Sequence, residues 1–134
     1  MEGKKFTPQE EREIRKIKRT NCIIFGFFVL LAIMVAIWLG TYLYWHTFTS
    51  EKWQANPERR ATMVADLLAD YQLVGMTEDA LVALLGPSDN DYGYFNQDGR
   101  LVYCLGNERT IIDREWLLVE LEDGIVSDYS LTTD

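Results

Sequence analysis

The run "EWLLVELEDGIVSDYSL", residues Glu115 to Leu131, decides the fold. Two β-rich segments flank a Gly-containing turn. Residues 115–121 and 125–131 are therefore expected to pair as an antiparallel hairpin, with Glu122-Asp123-Gly124 as a three-residue loop and Gly124 at its left-handed position. Side chains alternate across a strand, which puts Leu117, Val119, Leu121, Ile125 and Tyr129 on one face. Trp116 and Leu118 fall on the other. The first face needs a cover, and the sequence upstream offers two amphipathic helices.

The first of these opens at Asn56-Pro57, a cap followed by proline at the first helical position, and runs to about Gln72. Ala61, Val64, Leu67, Leu68 and Tyr71 recur at helical spacing, while Arg59 and Arg60 fall on the polar side and are expected in solvent. The second lies in "LVGMTEDALVALLGPSD", residues 73–89. Thr77 caps it, and Glu78 and Asp79 place negative charge where the helix dipole favours it. Leu81, Leu84 and Leu85 form its apolar face. Gly86 supplies the exit and Pro87 forbids continuation. Val74-Gly75-Met76 bends the chain between the helices. Further on, Tyr94-Phe95 reads as a short strand, residues 96–99 as a turn and Leu101 to Leu105 as a strand. Helix, helix, strands in that order predicts an α+β two-layer domain.

Before this domain lies "CIIFGFFVLLAIMVAIWLGTYLYW", residues 22–45, with no charged side chain. As a helix it would extend roughly 36 Å, enough to cross roughly 30 Å of hydrocarbon with some tilt. The run is longer than the core of a cleaved signal, and it ends in Tyr42, Tyr44 and Trp45, which suit the membrane interface. Residues 1–21 carry seven Lys/Arg and a net charge of +3, whereas residues 46–134 carry −11. Basic residues flank the N-terminal side, so the N-terminus is expected in the cytoplasm and the C-terminal domain outside it, on a single-pass cell-membrane protein. The chain then divides into a basic helical tail (1–21), a transmembrane helix (22–45), a linker (46–56) and an extracytoplasmic domain (57–134). Thr7-Pro8-Gln9-Glu10 has capping-box spacing at the start of the tail helix, and Glu11 and Arg15 sit four apart in the favourable order. Ala32, Ala36 and Gly40 recur every four residues, a stripe that lets membrane helices approach closely and suits a homo-oligomer.

An acidic outer domain argues against nucleic acid as a partner. Cys22 and Cys104 lie too far apart in the topology to pair, and Cys104, within "LVYCLG", reads as a small buried hydrophobe. His46 is the only histidine and sits beside Trp45 at the interface. No phosphate loop, metal spacing or nucleophile elbow is present. Asp89-Asn90-Asp91-Tyr92-Gly93 opens loosely like a calcium loop, but its glycine comes one residue early and Arg100 stands where a glutamate is needed. Glu115, Glu120, Glu122, Asp123 and Asp128 offer carboxylates, yet a hairpin and its open face are the usual place for solvated charge. No catalytic, cofactor or metal residues are assigned, and no enzymatic activity is expected. The alternative is a small metal-binding, ligand-binding or enzymatic envelope protein using this acidic loop and hairpin.

Tyr92, Tyr94, Trp116 and Leu118 are the candidate partner-binding residues. A two-layer domain leaves the Trp116 face bare, and exposed aromatics on a sheet mark a docking surface.

The order of motifs resembles the SmpA/OmlA, or BamE-like, domain family. The "GMT" turn, the helix "TEDALVALLG" closing in "GPSD", the strand "LVYCLG" and "WLLVELEDGIVSDYSL" carry the resemblance, which covers about residues 61–131. It implies two helices packed on three antiparallel strands, similar in build to the repeats of β-lactamase inhibitory protein. It also implies a binding role without catalysis, since founding members are accessory lipoproteins of the outer-membrane barrel-insertion machine. Those members are lipidated at a cysteine; here a transmembrane helix takes that place. The sequence thus reads as a membrane-anchored extracytoplasmic interaction module. It is expected to be an accessory or scaffold subunit bound to another envelope or membrane protein, with residues 22–45 in the lipid bilayer.

Overall fold

A computed structural model describes residues 6–89, 95–106 and 113–133. The chain divides into two compact units, Met1–Thr41 and Tyr42–Asp134. The first is occupied by α1 (Pro8–His46), whose last turn already belongs to the second. Its start follows the expected reciprocal cap. The Thr7 N–H donates to Glu10 Oε2 (2.7 Å) and the Glu10 N–H to Thr7 Oγ1 (3.3 Å). The Thr7 hydroxyl also donates to Glu10 Oε2 (2.9 Å), and the two bonds to that oxygen hold the Glu10 carboxyl below its usual pKa, the Thr7 backbone bond being the larger cause. Arg15 and Glu11 lie 3.5 Å apart, as their spacing predicts. The helix is long and apolar enough to cross a membrane, with mean hydropathy 2.9 over its most apolar stretch.

The second unit is α+β. After α1 come α2 (Ser50–Ala55), a 3-10 turn (Pro57–Arg59), α3 (Arg60–Asp70), α4 (Glu78–Leu85) and the strands β1 (Arg100–Gly106), β2 (Glu115–Glu122) and β3 (Ile125–Thr133). The strands form one antiparallel sheet in the order β1-β2-β3. One sheet face presents Leu101, Tyr103 and Leu105 from β1, Leu117 and Val119 from β2 and Val126 from β3 to Met63, Leu67, Leu81 and Leu85 of the helices. This is the main core, and its apolar burial is the dominant stabilising term.

Residues 46–56 depart from the expected linker. They contain α2, capped by the Thr49 hydroxyl, and its Trp53 is wholly buried in the core beside Phe48. Six residues carry too little periodicity to announce a helix, and only the tertiary context shows that Trp53 is inside. α3 likewise begins later than expected, because Pro57–Arg59 form a separate turn.

The hairpin also differs in one informative detail. Its loop has two residues, Asp123 (φ 51°) and Gly124 (φ 76°), with Glu122 paired directly to Ile125. Positive φ at both positions is the type I′ geometry that matches strand twist. A bulge then leaves Ser127 without a cross-strand partner, between the pairs Leu121–Val126 and Glu120–Asp128. The extra residue reverses the parity of β3. The two-residue loop sets Val126 opposite Leu121, so Val126 is the buried residue and Ile125 is exposed; the bulge beyond it returns Tyr129, opposite Val119, to the core face as expected.

The Val74-Gly75-Met76 bend has a specific role beside this bulge. The Gly75 N–H donates to the Val126 carbonyl and the Val126 N–H to the Met76 carbonyl, each at 2.8 Å. The Glu78 N–H reaches the Gly124 carbonyl at 2.9 Å. Thr77 Oγ1 accepts from the Ala80 N–H, so one short segment caps α4 and ties it to the hairpin. At the other end of the sheet Gly106 (φ +93°) lies against the backbone of Glu58; an added Cβ would sit 2.8 Å from the Glu58 carbonyl carbon. Only glycine allows β1 to end that close to the 3-10 turn.

Candidate functional site

A three-stranded sheet has two edges, and this one treats them differently. Along β1 the chain seals its own edge. The Ser88 hydroxyl accepts from the Val102 N–H (2.8 Å) and donates to its carbonyl (2.9 Å), and the Asp89 N–H donates to the same carbonyl (2.7 Å). Asp89 Oδ2 takes the Cys104 N–H at 2.9 Å and Arg60 Nη1 at 2.7 Å. Arg60 also donates through Nε to the Trp53 carbonyl and through Nη1 to the Cys104 carbonyl. Arg60 is only 5% exposed, which corrects the expectation that it stands in solvent. A guanidinium this deep is tolerated because a carboxylate and two carbonyls meet it. The "GPSD" segment is thus an edge seal: Asp89, the first residue of the calcium-like loop, is engaged by Arg60 and by strand β1.

β3 is the other edge. Its first two residues are covered by the 75–77 segment. From Ser127 to Thr133 no backbone hydrogen bond from the described residues reaches the outer side; the Tyr129 N–H bonds to the neighbouring Asp128 carboxylate at 2.8 Å. Leu131 faces the helices yet is 51% exposed, because the helical layer stops short of the β3 margin. An open groove remains there, with Ala61, Val64, Ala65 and Leu68 of α3 on one wall and Glu115 of β2 with Leu131, Thr132 and Thr133 of β3 on the other.

The face expected to be bare is covered by the chain itself. Trp116 is 1% and Leu118 7% exposed; they pack with Val102, Cys104 and Phe95, whose ring centroid lies 5.6 Å from that of Trp116. Phe95 comes from the loop before β1, and a loop residue folding over a sheet leaves no periodic trace in sequence. As described, these two side chains are core and present no docking surface. Tyr92 and Tyr94, the other two candidates, lie outside the described residues. Ala32, Ala36 and Gly40 are exposed on α1, with nothing within 4 Å of a Cβ built at Gly40. The open edge of β3 was missed; its sequence signal is the run Tyr129–Thr133, which contains none of the charges or prolines that usually protect an edge.

Around these features the chemistry is structural. Glu120 is held by Arg100 at 2.6 Å. Among the described residues no group of three or more His, Cys, Asp or Glu side chains is placed to hold a metal ion. The Tyr103 hydroxyl, buried, donates to the Gly86 carbonyl at 3.1 Å, and burial pushes its pKa up to about 12. At the end of α1 the polar groups are also taken up locally. Lys52 Nζ donates to the carbonyls of Tyr44 and Thr47, Thr62 Oγ1 to that of Trp45, and Arg59 stacks 4.3 Å from the centre of the Trp45 ring. His46 Nδ1 lies 2.9 Å from the Tyr42 carbonyl and its ring stacks on Tyr42, an ordinary helix-end role.

No family model matches this chain, and neither a curated protein nor a solved structure matches it.

Proposed function

We propose that this protein is a single-pass membrane-anchored interaction module, an accessory or scaffold subunit of a cell-envelope complex resembling the SmpA/OmlA domain proteins. In this reading α1 crosses the membrane with the basic residues 1–21 in the cytoplasm, and the domain works on the opposite side. The packing of Trp45 and Tyr44 against Arg59 and Lys52 supports a retained anchor, because a cleaved segment would take these contacts with it. Helices on a three-stranded antiparallel sheet agree with what the resemblance implies at the level of architecture. The observation that carries the binding role is the contrast between a β1 edge sealed by side chains and a β3 edge left open beside a groove with an apolar α3 wall. Monomeric folds protect their edges, so an unprotected one is a place where another chain adds. The Ala32-Ala36-Gly40 stripe offers a second contact, between helices in the bilayer.

The test is in-cell photo-crosslinking of the full chain from two positions, Ser130 on β3 and Asp79 on α4. A dominant envelope protein captured from Ser130 and absent from Asp79 is the expected result. Capture of nothing from either position would remove the interaction reading and leave only the fold.

A further inference from the structure

We infer that the open edge of β3 receives a positively charged extended segment of another protein, added as a fourth strand beside Tyr129–Thr133. This rests on the reading of the chain as an interaction module and names the chemistry of its partner. The backbone sets the first requirement. A row of main-chain donors and acceptors is matched by another strand, whereas a helix satisfies its own.

The side chains set the second. Tyr129 and Leu131 turn toward the helices, where Val64 and Leu68 of α3 leave room beside Leu131. Asp128, Ser130 and Thr132 turn to the opposite face, across from Glu120, Leu118 and Trp116. A strand laid along this edge meets the apolar α3 wall of the groove on one side and, on the other, a polar strip that begins at Asp128. Its own residues must therefore alternate, apolar toward α3 and polar toward Asp128.

Charge sets the third and identifies the occupant. Residues 115–134 hold six acidic side chains and no Lys or Arg, within an outer region of net charge −11. Asp128 is exposed and its carboxylate sits at the start of the open edge, on the Tyr129 N–H. A second copy would bring the same negative hairpin to this edge. A Lys- or Arg-bearing strand brings the opposite sign, raising both its rate of encounter and its selectivity over neutral strands.

The full chain in zwitterionic nanodiscs, titrated with the fluorescent peptide Lys-Val-Lys-Val-Lys-Val and followed by anisotropy, tests this. Two comparators separate charge from strand pairing: Glu-Val-Glu-Val-Glu-Val, and Lys-Pro-Lys-Pro-Lys-Pro, which has the same charge but no proline N–H to donate. Binding of the first peptide should weaken about tenfold or more in either comparator and in Asp128→Lys, and should fall as salt rises from about 50 to about 500 mM. Ser130→Lys, with an unchanged melting curve, should weaken it as well. Equal binding of the proline peptide, equal binding of the glutamate peptide, or no binding at all overturns the assignment. So does a concentration-dependent dimer of the chain that Ser130→Lys abolishes. A partner captured from Ser130 in cells while the Lys-Val peptide fails would sink the basic strand and leave the module reading standing; failure of both would remove both.

Discussion

The two margins of this sheet answer the same physical demand in opposite ways. At β1 every exposed backbone group from Val102 to Cys104 that could recruit a stranger is met by Ser88, Asp89 or Arg60. At β3 the cover stops after Val126, and the strand continues to Thr133 with its outer side open among the described residues. The seal is built from polar side chains delivered by a loop. The open margin is built from short hydroxyl residues and one half-exposed leucine. What the difference teaches is that the "GPSD" segment, the most motif-like part of the sequence, closes one margin, while the plain run "YSLTT" forms the margin left open.

Removing the seal should have the largest effect. Asp89→Ala leaves Arg60 buried without its carboxylate and should cost about 3–5 kcal/mol, read as a large drop in melting temperature in detergent. A loss under 1 kcal/mol would mean that the two carbonyls alone hold the guanidinium. High pH strains the same strand through Tyr103. Its folded-state pKa, about 12, lies above the unfolded value near 10, so the unfolded chain loses its proton first. Stability is intact below pH 10 and should fall between pH 10 and 12 by up to about 1.4 kcal/mol per pH unit. Tyr103→Phe should flatten that slope in an alkaline melting series. Ser88→Ala removes both bonds to Val102 and should cost about 1–2 kcal/mol by denaturant titration. At the open margin Ser130→Lys should change stability by less than about 0.5 kcal/mol while reducing partner capture, since a lysine there protects an edge without touching the core. If Ser130→Lys instead destabilises as much as Ser88→Ala, the β3 edge is sealed too and the contrast fails.

Much of the fold was legible because its signals are local. The Thr77 cap, the Gly86-Pro87 stop and the alternating β2 run each fix an element within a few residues, and all three stand where the pattern places them. What was not legible depends on residues far apart in sequence. Arg60 reads as solvated on any helical wheel, and only Asp89, on the loop before β1, makes it a core residue. Ile125 and Val126 exchange places because the loop has two residues where three were expected, and nothing in "GIVSDY" marks Ser127 as the one that the bulge will skip. The Trp116 face read as open because its cover, Phe95, belongs to no periodic element. The candidate site was hidden for a related reason. An edge is a property of strand order, and strand order is set by pairing, not by the strand's own residues.

The position of β2 between β1 and β3 has a consequence for how the protein is made. Residues 115–122 follow every helix in chain order, and they pair with both other strands. Until they emerge, Trp53, Met63, Leu67 and Leu81 have no completed sheet to pack on. A chain synthesised from its N-terminus therefore cannot complete this core until β2 arrives. The tight Asp123-Gly124 turn then closes a hairpin on a timescale of about 1–10 μs, and the core assembles around it. Because β3 belongs to that same late hairpin, the open edge comes into being only when the rest of the domain is ready to support it.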